Sequence, residues 1–205
     1  MRLGLATRNE HKRREFARLL PNHAIEALPE HVRLPPEEGE TFAENALVKA
    51  RAAARATGRV AIADDSGVEA RALGGAPGVR SARYAGEGAS DEENLRKLMR
   101  EAPAGSALRY VCALAYVEPE GGERLFEGTC EGRLAEEARG ERGFGYDPAF
   151  LPDAGPRGLT MAELSDARKD AISHRGEAAR ALARWLEERE RERAGVALEN
   201  IKKVE

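Results

Sequence analysis

Short apolar runs and stretches with apolar residues every three or four positions take turns along the chain, a pattern that predicts strands separated by helices. Residues 2–7 (RLGLAT) read as a first strand and Asn9 to Leu20 as a helix, with Phe16, Leu19 and Leu20 on one face. Ala24 to Leu28 reads as a second strand, followed by a proline-rich loop from His31 to Gly39. Thr41-Phe42-Ala43-Glu44 is a capping box opening a helix to about Thr57, with Phe42, Ala46 and Ala50 available to a core. The run Val60 to Ala63 reads as a buried strand ending abruptly in Asp64 and Asp65, which it delivers to a turn at Ser66-Gly67. Gly74 to Gly78 interrupts regular structure, and the capping box Ser90-Asp91-Glu92-Glu93 starts a helix ending near Glu101. Tyr110 to Val117 and Leu125 to Cys130 flank Pro119–Gly122 as a hairpin, which reads as a lobe or partner surface without chemistry of its own. Thr160 caps a short helix. Ser173 caps a last long one that buries Ala178, Ala179, Leu182, Trp185 and Leu186. With no internal repeat or linker, residues 1–193 read as one domain with two lobes and 194–205 as a charged, fraying tail.

Composition narrows the classes of function. The 33 basic and 36 acidic residues are mixed along the chain and leave a net charge of -3, which argues against a stable nucleic-acid partner. A basic cluster would have to be local, suiting a small anionic ligand. The two cysteines, Cys112 and Cys130, lie in apolar strand-like runs without a partner motif, so zinc and redox roles are not expected. No apolar stretch approaches the roughly 18 residues of a membrane span, and a soluble cytoplasmic protein is the expectation.

Candidate chemistry falls in five places. Thr7-Arg8-Asn9-Glu10-His11-Lys12, between a strand and a helix, gathers backbone N–H groups, hydroxyl and amide donors and a cation, a setting for phosphate, although it lacks the glycines of a Walker A loop. Asp64 and Asp65 repel each other unless compensated. A divalent metal with oxygen ligands, magnesium or manganese, would do so, although the same residues also fit an ordinary solvated turn. Asn45 and Lys49 share a helix face; set beside the acids, Lys49 becomes a further phosphate ligand and Glu37 or Glu38 a further metal ligand. In Gly143-Phe144-Gly145-Tyr146-Asp147-Pro148, Phe144 offers a stacking face and Asp147 an acceptor for ring N–H groups. His174 and Arg175 at a helix amino end oppose the dipole, which suits an anionic or carbonyl-rich ligand or, more plainly, a surface cation pair.

Together, Thr7-x-Asn9-x-x-Lys12, Thr41-Phe42-x-Glu44-Asn45-Ala46 with Lys49, Ala63-Asp64-Asp65-Ser66-Gly67 with Gly74 to Gly78, Phe144 to Pro148, and Ser173-His174-Arg175 resemble the inosine/xanthosine triphosphate pyrophosphatase family, from Met1 to about Glu188. The resemblance implies an α/β fold, an elongated mixed sheet with flanking helices and a smaller hairpin-containing lobe, the active site lying in the cleft between. It implies a homodimeric, Mg²⁺-dependent hydrolase (Mn²⁺ serving as well) that converts ITP, dITP and XTP to the monophosphate and pyrophosphate, cleansing the nucleotide pool. Asp65 would be the catalytic proton acceptor, with the metal on Asp65 and Glu37, joined by Asp64. Thr7, Arg8, Asn9, Glu10, His11, Lys12 and Lys49 would hold the triphosphate, and Ser66, Phe144, Gly145, Tyr146, Asp147, Lys169, His174 and Arg175 the nucleoside. Two positions depart from the family: Arg8 stands where relatives commonly carry Gly, and Pro36 lies in a loop that is usually Glu-rich. Competing readings are a related enzyme acting on other triphosphates, and a nucleotide- or RNA-contacting module without turnover. All of this requires Lys12, Asp65 and Phe144 to meet within the span of one nucleotide.

Overall fold

The apolar runs assemble into one six-stranded sheet in the computed structural model, which describes the backbone of residues 1–202 and the side chains of residues 1–194. Its strands are β1 (Arg2–Leu5), β2 (Ala24–Ala27), β3 (Ala61–Ala70), β4 (Ala107–Val117), β5 (Glu123–Leu134) and β6 (Phe150–Pro152), ordered β2-β1-β3-β4-β5-β6. β1 pairs parallel with β2 and β3, and the remaining pairs are antiparallel. β3 is therefore where the sheet changes direction. The helices are α1 (Glu10–Leu19), α2 (Phe42–Thr57), α3 (Asp91–Glu101), α4 (Asp166–Ile172) and α5 (His174–Lys202).

Strand alternation sorts the core into layers. On one face Leu3, Leu5, Ile62, Leu114 and Tyr116 pack with Phe16 and Leu20 from the α1 segment and Ala178, Ala179 and Leu182 of α5. On the other, Ala61, Ala63, Ala113 and Ala115 meet Ala46, Ala50, Ala53 and Ala54 of α2, small against small, so this helix lies close on the sheet. A third cluster joins the far ends of β3, β4 and β5 with α3, Phe150 and Met161, forming the smaller lobe. Both full capping boxes expected before α2 and α3 are present, at Thr41 and Ser90.

Several expectations change. β3 does not end at its acids: Asp64 pairs with Leu114 and Asp65 with Ala113, and the ladder continues to Ala70 opposite Leu108. Asp64 and Asp65 stand in mid-strand rather than in a turn, because β4 takes up their backbone groups and cations from elsewhere meet their side chains. The hairpin strands are longer than expected and belong to the main sheet. α4 was not anticipated. α5 continues past Arg193 as helix to Lys202; the side chains of most of the expected 194–205 tail, and residues 203–205 entirely, lie outside the described residues.

Gly128 on β5 determines how closely α5 can approach. A Cβ at Gly128 would lie 2.1 Å from the His174 carbonyl oxygen and 2.7 Å from the Ala178 nitrogen. Next to it, the Thr129 N–H donates to Glu177 Oε2 at 2.7 Å. The first turn of α5, with His174 and Arg175, is thus seated directly on strand backbone. Gly128→Ala is expected to destabilise the protein by about 3 kcal/mol through overpacking. Gly4→Ala, whose added methyl meets only the Val60 carbonyl oxygen at 3.5 Å, serves as the comparison and should change stability far less, both read from urea midpoints.

Candidate active site

Because successive side chains on a strand point to opposite faces, Asp65 turns toward α2 and Asp64 toward α1 and α5. Both are buried. On the α2 side, Asn45 Nδ2 donates to Asp65 Oδ2 at 3.0 Å, and Lys49 Nζ lies 3.5 Å from Asp65 Oδ1. The same ammonium donates to Glu37 Oε1 at 2.5 Å and to the Asp64 carbonyl at 2.8 Å, so one cation stands between two carboxylates from separate segments. Burial, reinforced by the Glu37 charge, raises the Asp65 carboxyl above the ordinary aspartate value even with Lys49 nearby. Burial would raise Glu37 as well, but Lys49 outweighs it and holds that group low.

On the opposite face Asp64 Oδ2 meets Lys12 Nζ at 3.0 Å, Arg175 Nη2 at 3.1 Å and the Ser66 hydroxyl at 3.0 Å. Against the cost of complete burial, Lys12 and Arg175 hold this carboxyl well below the usual range. From there a chain of alternating charge runs through the interior. Arg175 Nη1 donates to Glu15 Oε2 at 2.5 Å, and Lys169 Nζ bridges Glu15 Oε1 at 2.7 Å and Asp147 Oδ2 at 2.6 Å. Glu15 was missed in the sequence. Its signal was its place three residues after Lys12 and one before the core residue Phe16, on the inner stripe of α1.

At the other end, the Phe144 ring stacks on His11 with centroids 5.2 Å apart, and Lys169 and Arg175 lie 5.2 and 5.5 Å from the ring. Gly145 adopts a φ of 63°, which turns the chain after Phe144. The Tyr146 hydroxyl donates to the Ser81 carbonyl at 2.8 Å. Asp147 accepts from the Tyr110 hydroxyl at 3.1 Å, from the Phe144 N–H at 2.9 Å and from Lys169, so it holds the loop rather than presenting free oxygens to a ring. His174 is buried and stacked on Tyr110 at 4.5 Å, and its Nδ1 has no hydrogen-bond partner among the described residues. Burial, with Arg175 and Lys169 close by, keeps the imidazole far below its ordinary pKa and therefore neutral.

These groups border one cleft of about 720 Å³. Thr7, Arg8, Asn9 and Lys12 line one part, Glu37, Lys49, Asp65 and Ser66 another, and Phe144 to Asp147 with Lys169, His174 and Arg175 the rest, so Lys12, Asp65 and Phe144 share a wall. Asn9 Oδ1 caps α1 by accepting from the His11 and Lys12 N–H groups at 2.9 and 3.2 Å, which occupies two of the amides expected to meet phosphate. Three expected site residues stand apart. Glu10 is exposed and bonded to Arg13, His11 reaches the site only through its stack on Phe144, and Asp64 lies under the floor, its side chain sealed from the cleft. The Arg8 guanidinium points to backbone carbonyls of residues 28–32. Two further residues in the cleft wall were not singled out: Tyr110, from a strand that looked inert, and Arg83, which follows the glycine-rich stretch and donates to the Glu37 carbonyl at 2.9 Å.

No group of three or more His, Cys, Asp or Glu side chains converges among the described residues. The carboxylates of Asp65 and Glu37, facing a common ammonium, nonetheless form an oxygen donor pair suited to magnesium, which binds through one or two carboxylates and completes its shell with water and phosphate oxygens. Of the two acids in the loop, Glu37 reaches Lys49, whereas Glu38 is exposed.

Removing the charge of Glu15 leaves Arg175 and Lys169 short of a buried partner. Glu15→Gln is expected to cost about 3 kcal/mol at neutral pH. Arg175 and Lys169 overcome burial and hold the folded Glu15 carboxyl below its unfolded value of about 4.3, so the stabilisation is complete above that pH and is lost as acid carries the pH down through the folded value. The gap between wild type and variant in urea unfolding should therefore narrow below about pH 4.

Known proteins resemble the chain along most of its length. A sequence model of the Ham1 family matches residues 3–185. A dITP/XTP pyrophosphatase of Geobacillus kaustophilus is 48% identical over 193 residues, 90% of this chain and 93% of that protein. One from Cutibacterium acnes is 54% identical over 152 residues, 72% of this chain and 74% of the relative. Among solved structures, a HAM1 protein from Coxiella burnetii superposes with a TM-score of 0.81 at 39% identity, covering 92% of this chain and 99% of the other.

Proposed function

The chain belongs to the Ham1 family, and from that premise we propose that it hydrolyses deaminated purine nucleoside triphosphates, ITP, dITP and XTP, to the monophosphate and pyrophosphate. The observation that carries the reading is the sharing of one cleft by tail-binding cations, a carboxylate pair and an aromatic wall. In it, Lys12 and Lys49 hold the triphosphate while the nucleoside lies toward Phe144. Asp65 and Glu37 would hold Mg²⁺, for which Mn²⁺ can substitute, and the ion would stabilise charge on the phosphates. Asp65 orients the attacking water and accepts its proton. The water oxygen bonds to the α-phosphorus, the α–β bridging bond breaks, and its electron pair leaves with pyrophosphate. Asp64 acts from below by fixing Lys12 and Arg175.

Recognition of the base follows from hydrogen-bond sense. Hypoxanthine and xanthine present a 6-oxo acceptor where adenine presents an amino donor. A neutral His174 and the Arg175 guanidinium offer donors that the oxo group satisfies and the amino group opposes, and such a mismatch discriminates by roughly 10⁴. The same reading makes the active form a homodimer working on the cytoplasmic nucleotide pool, without nucleic acid as a partner. Among the described residues no helix is long and apolar enough to cross a membrane.

The test is pyrophosphate release from ITP, XTP, GTP and ATP with and without Mg²⁺. Rapid turnover of the first two, little of ATP, and a fall of about 10³ in Asp65→Asn are expected, while GTP, which shares the 6-oxo group, reports on contacts at position 2 of the ring. ATP hydrolysis at the ITP rate would refute the specificity. Lys12→Ala should slow all four substrates alike, whereas His174→Ala should narrow the ratio of ITP to ATP turnover about tenfold or more. Identical behaviour of the two variants would contradict separate tail and base subsites.

A further inference from the structure

The loop between β2 and α2, residues 28–41, carries Glu37 and has no regular secondary structure of its own. Loops of this length inside a folded domain stay ordered only when something ties them down. Near its end the ties are plain: the Gly39 N–H donates to Asn45 Oδ1 at 2.8 Å, Lys49 grips the Glu37 carboxylate, and Arg83 donates to the Glu37 carbonyl. The beginning of the loop is held differently. Arg8 Nη1 donates to the Leu28 carbonyl at 3.0 Å, and Nη2 faces the carbonyls of Pro29 at 2.9 Å, Val32 at 2.8 Å and Glu30 at 3.4 Å. Four carbonyl dipoles of one short segment converge on a single guanidinium, whose planar fork can serve several acceptors at once. Without that cation their negative ends would face one another.

Arg8 is also part of the turn between β1 and α1, one residue from the Asn9 cap and four from Lys12. We propose that Arg8 is a positioning residue that clamps the acidic loop to the tail-binding turn, so that Glu37 is already aimed at Asp65 before a metal arrives. This rests on the reading of Asp65 and Glu37 as the metal seat. In consequence the Arg8 side chain serves the loop and not the phosphates. Its loss leaves the metal to order the loop by itself, which weakens metal binding more than nucleotide binding.

Two measurements test the clamp in Arg8→Ala and Arg8→Lys. In the metal-free protein, hydrogen exchange at the Val32 and Gly39 amides, both hydrogen-bonded within this loop system, is expected to quicken about tenfold in both variants, with the Leu114 amide of β4 unchanged. In ITP hydrolysis, the Mg²⁺ concentration giving half the maximal rate should rise about tenfold, while KM for ITP at saturating Mg²⁺ moves less than about threefold. Unchanged exchange in Arg8→Ala would overturn the proposal. So would a raised KM for ITP with an unaltered Mg²⁺ requirement, which is the signature of a phosphate ligand. Wild-type behaviour of Arg8→Lys would show that charge alone suffices and would remove the clamp. The exchange measurement needs no substrate, so it decides about Arg8 even if ITP proves to be the wrong nucleotide.

Discussion

Two neighbouring carboxylates on a buried strand are tolerable only if each finds its own cations, and that requirement shapes the molecule around β3. Alternation along the strand separates the pair. Asp65 is met by α2, through Asn45 and Lys49, while Asp64 is met by Lys12 from α1 and Arg175 from α5. Helices are needed on both faces of the sheet, and each must come close. The alanine seam under α2 and the bare backbone of Gly128 under α5 are the two means by which they do.

The ionic chain from Asp64 through Arg175, Glu15 and Lys169 to Asp147 extends this logic across the floor of the cleft. Every member is buried, so none can relax far without exposing an unpaired neighbour to low dielectric. The arrangement fixes the end that carries Phe144 relative to the end that carries Lys12. Binding energy from a ligand then need not be spent on ordering side chains. His174, lying among cations, is kept uncharged by its surroundings.

Much of this was legible in the chain because its signals are local. Caps at Thr41, Ser90 and Ser173 announce helix starts through residues only a few positions apart, and α2, α3 and α5 begin at them. The motif residues of the family resemblance, Thr7, Lys12, Lys49, Asp65, Phe144 and His174, do line one cleft. What stayed hidden depends on distant partners. Asp-Asp-Ser-Gly looks like a turn because the strand that pairs with it and the arginine that neutralises it lie far along the sequence, Arg175 being 111 residues from Asp64. Glu15 went unmarked in a charged helix, and Asp147 read as a free acceptor, until the lysine shared between them came into place. Tyr110 sits on a strand whose own pattern speaks only of a core.

Lys49 stands where a divalent ion would otherwise be the only positive charge between Asp65 and Glu37. The acid pair therefore carries a counter-ion supplied by the chain itself, unlike the ligands of small zinc-dependent domains that unravel without their metal. A protein built this way can be made, stored and degraded on a schedule set by its own stability.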